Sequence, residues 1–206
     1  MVANRIDNTH RPDGASGRRY DDFDVRIVDD DDNECPAGTA GEVIVRPTTS
    51  GIMFEGYWQR PEATLAATRD LWFRTGDIGR FDEHGYFYFV DRKKDYVRRG
   101  GENISSFEVE AVFLQHEALA EVAIHAVESD HAEDEVKLTA VLNEGAAVSA
   151  EKLFHWSESR LPRFAAPRYI EFVPSLPRTP TNRVQKYLLK QRGVTPASWD
   201  RNAADL

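Results

Sequence analysis

The 206 residues contain a single cysteine, Cys35. An intrachain disulfide is excluded, so cohesion rests on burial and hydrogen bonding, and a reducing compartment fits. No apolar run approaches the roughly 18–20 residues of a membrane helix, and the first residues lack a secretory pattern. The expectation is a cytoplasmic chain without a membrane span. Lys and Arg number 26 against 35 Asp and Glu, a net charge of −9, which argues against nucleic acid as a bulk partner. No GxxxxGK[S/T] phosphate loop is present. His116, His125, His131 and His155 lack zinc-ligand spacing. What is present is ample apolar material, 41% of residues, enough for one large domain or two small ones.

Residues 1–17 are polar, glycine-containing and without period, and read as a flexible lead-in. Residues 24–28 (DVRIV) and 41–46 (GEVIVR) read as paired strands, and the acids at 29–32 between them as a solvated turn rather than a cation site. A glycine-containing loop follows at 51–57 (GIMFEGY), then a short helix at 61–69 with Pro61 in its first turn. Residues 71–75 read as a strand, and Phe81–Tyr86 as a hairpin turn into the strand YFYFV. Beyond residue 105 the pattern is a compact α+β unit. It has helices at 106–115 and 149–160 and strands at 122–127, 136–142 and 168–173, with an acidic exposed loop at 128–135. Phe107, Ala111 and Leu114 in the first helix, and Leu153 and Trp156 in the second, are the expected core faces. A terminal helix ends at Gly193. The fold class is therefore α+β: a small β-rich subdomain, then a compact domain with a three-stranded sheet and flanking helices.

The most informative stretch is 90–110, VDRKKDYVRRGGENISSFEVE. Seven charged residues, Arg92, Lys93, Lys94, Asp95, Arg98, Arg99 and Glu102, fall within eleven positions. Gly100 and Gly101 permit positive φ and close approach, and Ser105 to Glu108 has the spacing of a capping box. Two readings stand side by side. One is a solvated basic turn before an ordinary helix. The other is an anion site of cationic loop, glycine pair and helix start.

Three stretches in order, WFRTGDIGR at 72–80, DRKKDYVRRGGENISS at 91–106 and LPRTPTNRVQKYLLK at 176–190, resemble the C-terminal part of the adenylate-forming superfamily. That superfamily holds acyl-CoA ligases, peptide-synthetase adenylation domains and luciferases. The wording of the middle stretch looks most like acyl-CoA ligases, near the carnitine/crotonobetaine group. The resemblance runs from about Gly14 to Gly193. It implies residues 1–91 as the end of the large AMP-binding domain and 92–206 as the mobile C-terminal domain.

The resemblance also implies roles. Asp77, otherwise a turn aspartate, would bind both ribose hydroxyls of ATP or AMP, as a carboxylate's two acceptor oxygens allow, and Arg92 would touch the same ribose. Lys94 would be the hinge, Gly101 would lie along the pantetheine arm of CoA, and Arg98 would meet CoA phosphates or the forming thioester. Where the family has a Gly-Lys pair whose lysine reaches the reacting carboxylate and α-phosphate, this chain has Asn182-Arg183. An arginine fork is larger and geometrically fixed; Lys186, three residues on, either takes over or is a surface lysine. Magnesium and the acyl pocket are expected in sequence upstream of the match.

The function implied is the C-terminal part of an ATP-dependent ligase that forms an acyl-adenylate from a carboxylic acid and passes the acyl group to CoA. Two alternatives are a non-catalytic interaction or regulatory module derived from such a ligase, and an adenylating domain that loads a carrier protein. Because the phosphate loop is absent, the 206 residues alone are expected to catalyse no ATP–pyrophosphate exchange. A radiolabelled exchange assay with measurable turnover would overturn that expectation.

Overall fold

The computed structural model describes residues 2–3, 11–128 and 133–204. His131 and the centre of the acidic loop, residues 129–132, lie outside the described residues, as do residues 1 and 4–10 of the lead-in. The chain divides into two compact units, Met1–Lys94 and Asp95–Leu206.

The first unit is an antiparallel sheet of seven strands among the described residues. In chain order these are β1 (Val2–Ala3), β2 (Gly17–Arg19), β3 (Phe23–Val28), β4 (Gly41–Pro47), β5 (Thr68–Arg69), β6 (Trp72–Phe81) and β7 (Tyr86–Arg92), with helix α1 (Pro61–Ala66) before β5. The spatial order is β1-β2-β7-β6-β4-β3, and β5 adds to β6. Alternation along β3 and β4 turns Val25, Ile27, Val43 and Val45 to one face, where Phe81 and Phe87 complete a core cluster.

Two expectations are corrected. Part of the lead-in is strand, because Gly17–Arg19 pairs with β7 and Val2–Ala3 with β2. The strand at 71–75 is longer, running to Phe81, so Asp77 lies within β6 rather than in a turn after it. Leu71 is excluded from that strand: its φ is +65° and its side chain is exposed. The turn of acids is organised by Asp29, whose carboxylate accepts the amides of Asp31 and Asn33, both at 2.9 Å. Those amide bonds are the local reason for the tight reversal that brings Glu34 back beside Val28. β7 runs on through Asp91 and Arg92, so the division between units falls after Lys94.

The second unit opens on a hairpin, β8 (Val97–Arg99) and β9 (Glu102–Ile104). It continues with helix α2 (Ser106–Phe113), β10 (Leu119–Glu128), β11 (Asp134–Leu142), helix α3 (Ala150–Glu158), β12 (Tyr169–Phe172), helix α4 (Lys186–Arg192), β13 (Trp199–Asp200) and helix α5 (Arg201–Ala204). Its main sheet has the order β10-β11-β12-β13, so a fourth short strand joins the three expected. β12 lies parallel to β11, after the crossover through α3. The Ser105 hydroxyl caps α2 by accepting the Glu108 amide at 3.2 Å, and Gly193 at φ +65° closes α4.

The face of α2 is also corrected. Phe107, Ala111 and Leu114 are exposed; Ser106, Val109 and Phe113 are buried against β10 and the rest of the core. Apolar residues sit on both sides of this short helix, so spacing alone did not choose between them. In β10 residues 122–127 are all buried, because the strand is covered on both faces, and its sequence does not alternate strictly. In α3, Leu153 is buried and Trp156 packs partly buried on the same core.

A buried histidine adds to the acid sensitivity of this unit. His125 in β10 is 3% exposed, with Nε2 3.0 Å from the Thr139 hydroxyl and Nδ1 3.2 Å from the Ala126 carbonyl. Burial lowers its pKa from 6.5 to about 4, against the opposing pull of the Ala126 carbonyl. The imidazole is thus neutral in the fold while the unfolded chain takes up a proton below about 6.5. Its stabilising contribution is whole above that pH, falls by about 3 kcal/mol as pH drops to about 4, and levels off below. Denaturant titrations at pH 7 and pH 4.5 should show His125→Gln losing less stability than the parent chain over that interval; equal losses would refute it.

Candidate functional site

The candidate residues fall into separate groups, Asp77, Arg92 and Lys94 in the first unit and Arg98, Gly101, Arg183 and Lys186 in the second.

In the first unit the motif Thr75-Gly76-Asp77-Ile78-Gly79 has a physical reason at each position. The Thr75 hydroxyl donates to the Val43 carbonyl at 2.8 Å and accepts the Asp77 amide at 3.0 Å. Gly76 sits at φ +69°, and Ile78 is buried. A Cβ on Gly79 would lie 2.3 Å from the Phe87 ring, so only glycine lets that ring close over the strand. The register sets Asp77 opposite Arg92, and the two side chains meet with Arg92 Nε 2.6 Å from Asp77 Oδ1. Both are partly exposed, at 31% and 44%. Beside Asp77 opens an apolar groove of about 460 Å³, walled by Val43, Val45, Phe54, Phe73, Thr75 and Phe87. A carboxylate on the wall of an aromatic groove suits a ligand with a flat apolar body and vicinal hydroxyls.

The neighbouring cations Arg74, which sequence reasoning did not single out, and Lys93 are committed to the scaffold. Arg74 bridges Asp32 and Glu42, with Nη1 2.6 Å from Glu42 Oε2. Lys93 reaches Glu42 at 3.0 Å and Asp30 at 3.2 Å. Burial works against the Lys93 ammonium, yet those carboxylates hold its pKa above the ordinary lysine value. Lys94 is exposed in a 3-10 turn, Lys93–Asp95. Among the described residues no group of three or more His, Cys, Asp and Glu is placed to hold a metal.

In the second unit Gly100 and Gly101, at φ +60° and +80°, form the two-residue turn of the β8–β9 hairpin. A Cβ on either would meet nothing within 4 Å, so their backbone is open to approach. The Gly100 amide donates to the Glu133 carboxylate at 2.9 Å. Arg99 is folded inward onto Glu135 at 3.0 Å and the carbonyls of Phe164 and Ala166, both at 3.2 Å. Arg98 is exposed on the same hairpin.

Arg183 belongs to a second small hairpin in which Arg178 bridges Val184. Within it the Thr179 amide donates to the Arg183 carbonyl at 2.8 Å, and the Arg183 amide to the Thr179 hydroxyl at 3.1 Å. Asn182 takes φ +65° at the turn. Glycine adopts that conformation freely and asparagine tolerates it, so an Asn in place of Gly keeps the reversal. Arg183 is exposed at its tip. Lys186 is not beside it at the tip: its ammonium is 2.6 Å from Glu110 Oε1 and 2.6 Å from the Ser106 hydroxyl.

Residues 108–183 match the profile of the AMP-binding enzyme C-terminal domain family. The chain is 33% identical over 169 residues to the crotonobetaine/carnitine–CoA ligase of Escherichia coli O157:H7 (strain EC4115 / EHEC), covering 82% of this chain and 33% of that protein. The Salmonella arizonae ligase of the same name is 34% identical over 169 residues. The chain thus spans about a third of the length of these curated relatives. Among solved structures, ATP-bound MatB from Rhodopseudomonas palustris is similar with a TM-score of 0.82 and 31% identity, over 93% of this chain and 38% of that one. The o-succinylbenzoate CoA synthetase of Bacillus subtilis, in complex with its acyl-adenylate intermediate, is similar with a TM-score of 0.76 and 30% identity, over 86% and 35%.

The Asn182 geometry makes a direct prediction. Asn182→Gly should retain the thermal midpoint within a degree or two, whereas Asn182→Val, a β-branched residue at positive φ, should cost about 1–2 kcal/mol locally. Amide exchange at Thr179 and Arg183 is the measurement; equal protection in the two variants would contradict it.

Proposed function

The chain belongs to the adenylate-forming superfamily, of which it carries the C-terminal part, and we propose that it serves the ATP-dependent joining of a carboxylic acid to CoA. The observation that supports this most directly is the Asp77–Arg92 pair beside an aromatic groove. Unit Met1–Lys94 is then the end of the nucleotide-binding domain and unit Asp95–Leu206 the mobile domain, with Lys94 as hinge.

The chemistry has two halves. First the acid's carboxylate oxygen attacks the α-phosphorus of ATP, the acyl–phosphate bond forms, and pyrophosphate leaves. Asp77 accepts the two ribose hydroxyls, while Arg92 orients that carboxylate and donates to the same sugar. Arg183 brings its fork of donors to the carboxylate and α-phosphate oxygens, where negative charge is shared in the transition state. Then the CoA sulfur, its proton lost, attacks the acyl carbon; the thioester forms and AMP leaves. The open backbone at Gly101 accommodates the pantetheine arm, and exposed Arg98 meets CoA phosphate. No cluster of acidic or histidine side chains suited to magnesium is present among the described residues.

The test joins this chain behind the upstream two thirds of a crotonobetaine/carnitine–CoA ligase and measures acid-dependent ATP–pyrophosphate exchange. Arg183→Ala should lower turnover by about 10²–10³, the usual loss for one preorganised donor, and Arg183→Lys should recover much of it. Asp77→Ala should raise the KM for ATP. Gly101→Val, adding a side chain where pantetheine is proposed to run, should slow CoA-thioester formation while sparing exchange. Wild-type exchange in Arg183→Ala would sink this assignment.

A further inference from the structure

Resting on the role of Arg183 proposed above, we infer that Lys186 is a positioning residue: with Glu110 and Ser106 it forms a clamp that fixes the hairpin presenting Arg183. The clamp lies three residues from Arg183, at the first position of α4. Lys186 Nζ sits 2.6 Å from Glu110 Oε1 and donates to the Ser106 hydroxyl at 2.6 Å. Its side chain is only 16% exposed and that of Glu110 15%. Ser106 is fully buried at the start of α2.

Glu110 is itself fixed. Its Oε1 accepts the Ile124 amide of β10 at 2.7 Å. One carboxylate therefore joins α2, the central region of β10 and the root of α4. The other arm of the hairpin is tied to the same strand, since Arg178 Nη2 lies 2.7 Å from Glu121 Oε2 in β10. Arg178 Nη1 also donates to the Asn182 carbonyl at 2.7 Å, inside the turn. The Gln185 amide closes the base of the loop on the Pro177 carbonyl at 2.8 Å. Each end of the hairpin is thus referred to β10 through an ion pair, one exposed at its rim and one largely removed from water.

An exposed pair of this kind contributes little, but a pair withdrawn from water is costly to break because the surviving charge loses its partner. The Lys186 clamp is the stiffer of the two anchors. Its ammonium is occupied by Glu110 and Ser106, so the guanidinium at the hairpin tip remains the group that meets oxygen ligands. The division of labour is a fixed lysine at the root and a reaching arginine at the tip.

The test has two readouts. In the 206-residue chain, amide exchange at Thr179, Asn182 and Arg183 should rise at least tenfold in Lys186→Met and in Glu110→Gln. Amides of β11 should stay as protected as in the parent, and Lys186→Arg should restore the loop. In the joined enzyme, Lys186→Met should lower kcat for pyrophosphate exchange about tenfold with KM for ATP unchanged, again rescued by Lys186→Arg. Unchanged loop protection in Lys186→Met overturns the clamp, as does a loosened loop with full kcat. If instead Arg183→Ala has no effect on exchange, the role of Arg183 fails on its own measurement, separately from the loop-protection result.

Discussion

A carboxylate withdrawn from water must find a cation or a donor nearby, and each unit is organised around one that has. In the first unit it is Glu42, 6% exposed, gripped by Arg74 and Lys93. Those contacts draw the acid-rich turn after β3, the strand β6 and the end of β7 onto one point. Asp77 and Arg92 lie on the same two strands, so their register inherits that anchoring. In the second unit it is Glu110, which joins α2, β10 and α4. Glu171 plays a similar part further along, binding Lys137 and Arg192 where α4 ends.

The basic stretch has a different meaning in the fold. Read as a string, residues 92–102 look like a cationic surface for an anion. In the fold, Arg92 meets Asp77, Lys93 meets Glu42 and Asp30, and Arg99 turns inward to Glu135. Lys94 and Arg98 stay exposed. Lys93 and Arg99 are thus tied to carboxylates of the scaffold, while the partly exposed Arg92 stays with Asp77 at the candidate site.

The legible features were those decided within a few residues. Ser105 as a helix cap, Gly193 as a helix end and the positive φ of Gly100 and Gly101 depend on local backbone geometry and are found where spacing put them. The order of three motifs was enough to name the superfamily. The inward face of α2 was not legible, because Phe107, Ala111 and Leu114 make as good an apolar stripe as Val109 and Phe113 do. Only packing against β10 selects between them. The edge strand Trp199–Asp200 was missed for a related reason: two residues carry no period, and they become a strand through pairing with β12.

Sequence by itself determined the α+β class, the helix caps and turns, and the superfamily to which the chain belongs, since each depends on residue types at short separations. Tertiary structure alone decided what the charged side chains do. Lys186 could be read as surface or as catalytic until Glu110, 76 positions earlier, was seen 2.6 Å away. Arg74 gave no sign of joining Asp32 to Glu42 until three strands were laid side by side. Ion pairs act over a few ångströms of space whatever the distance along the chain, and so they are settled only when the sheets have formed.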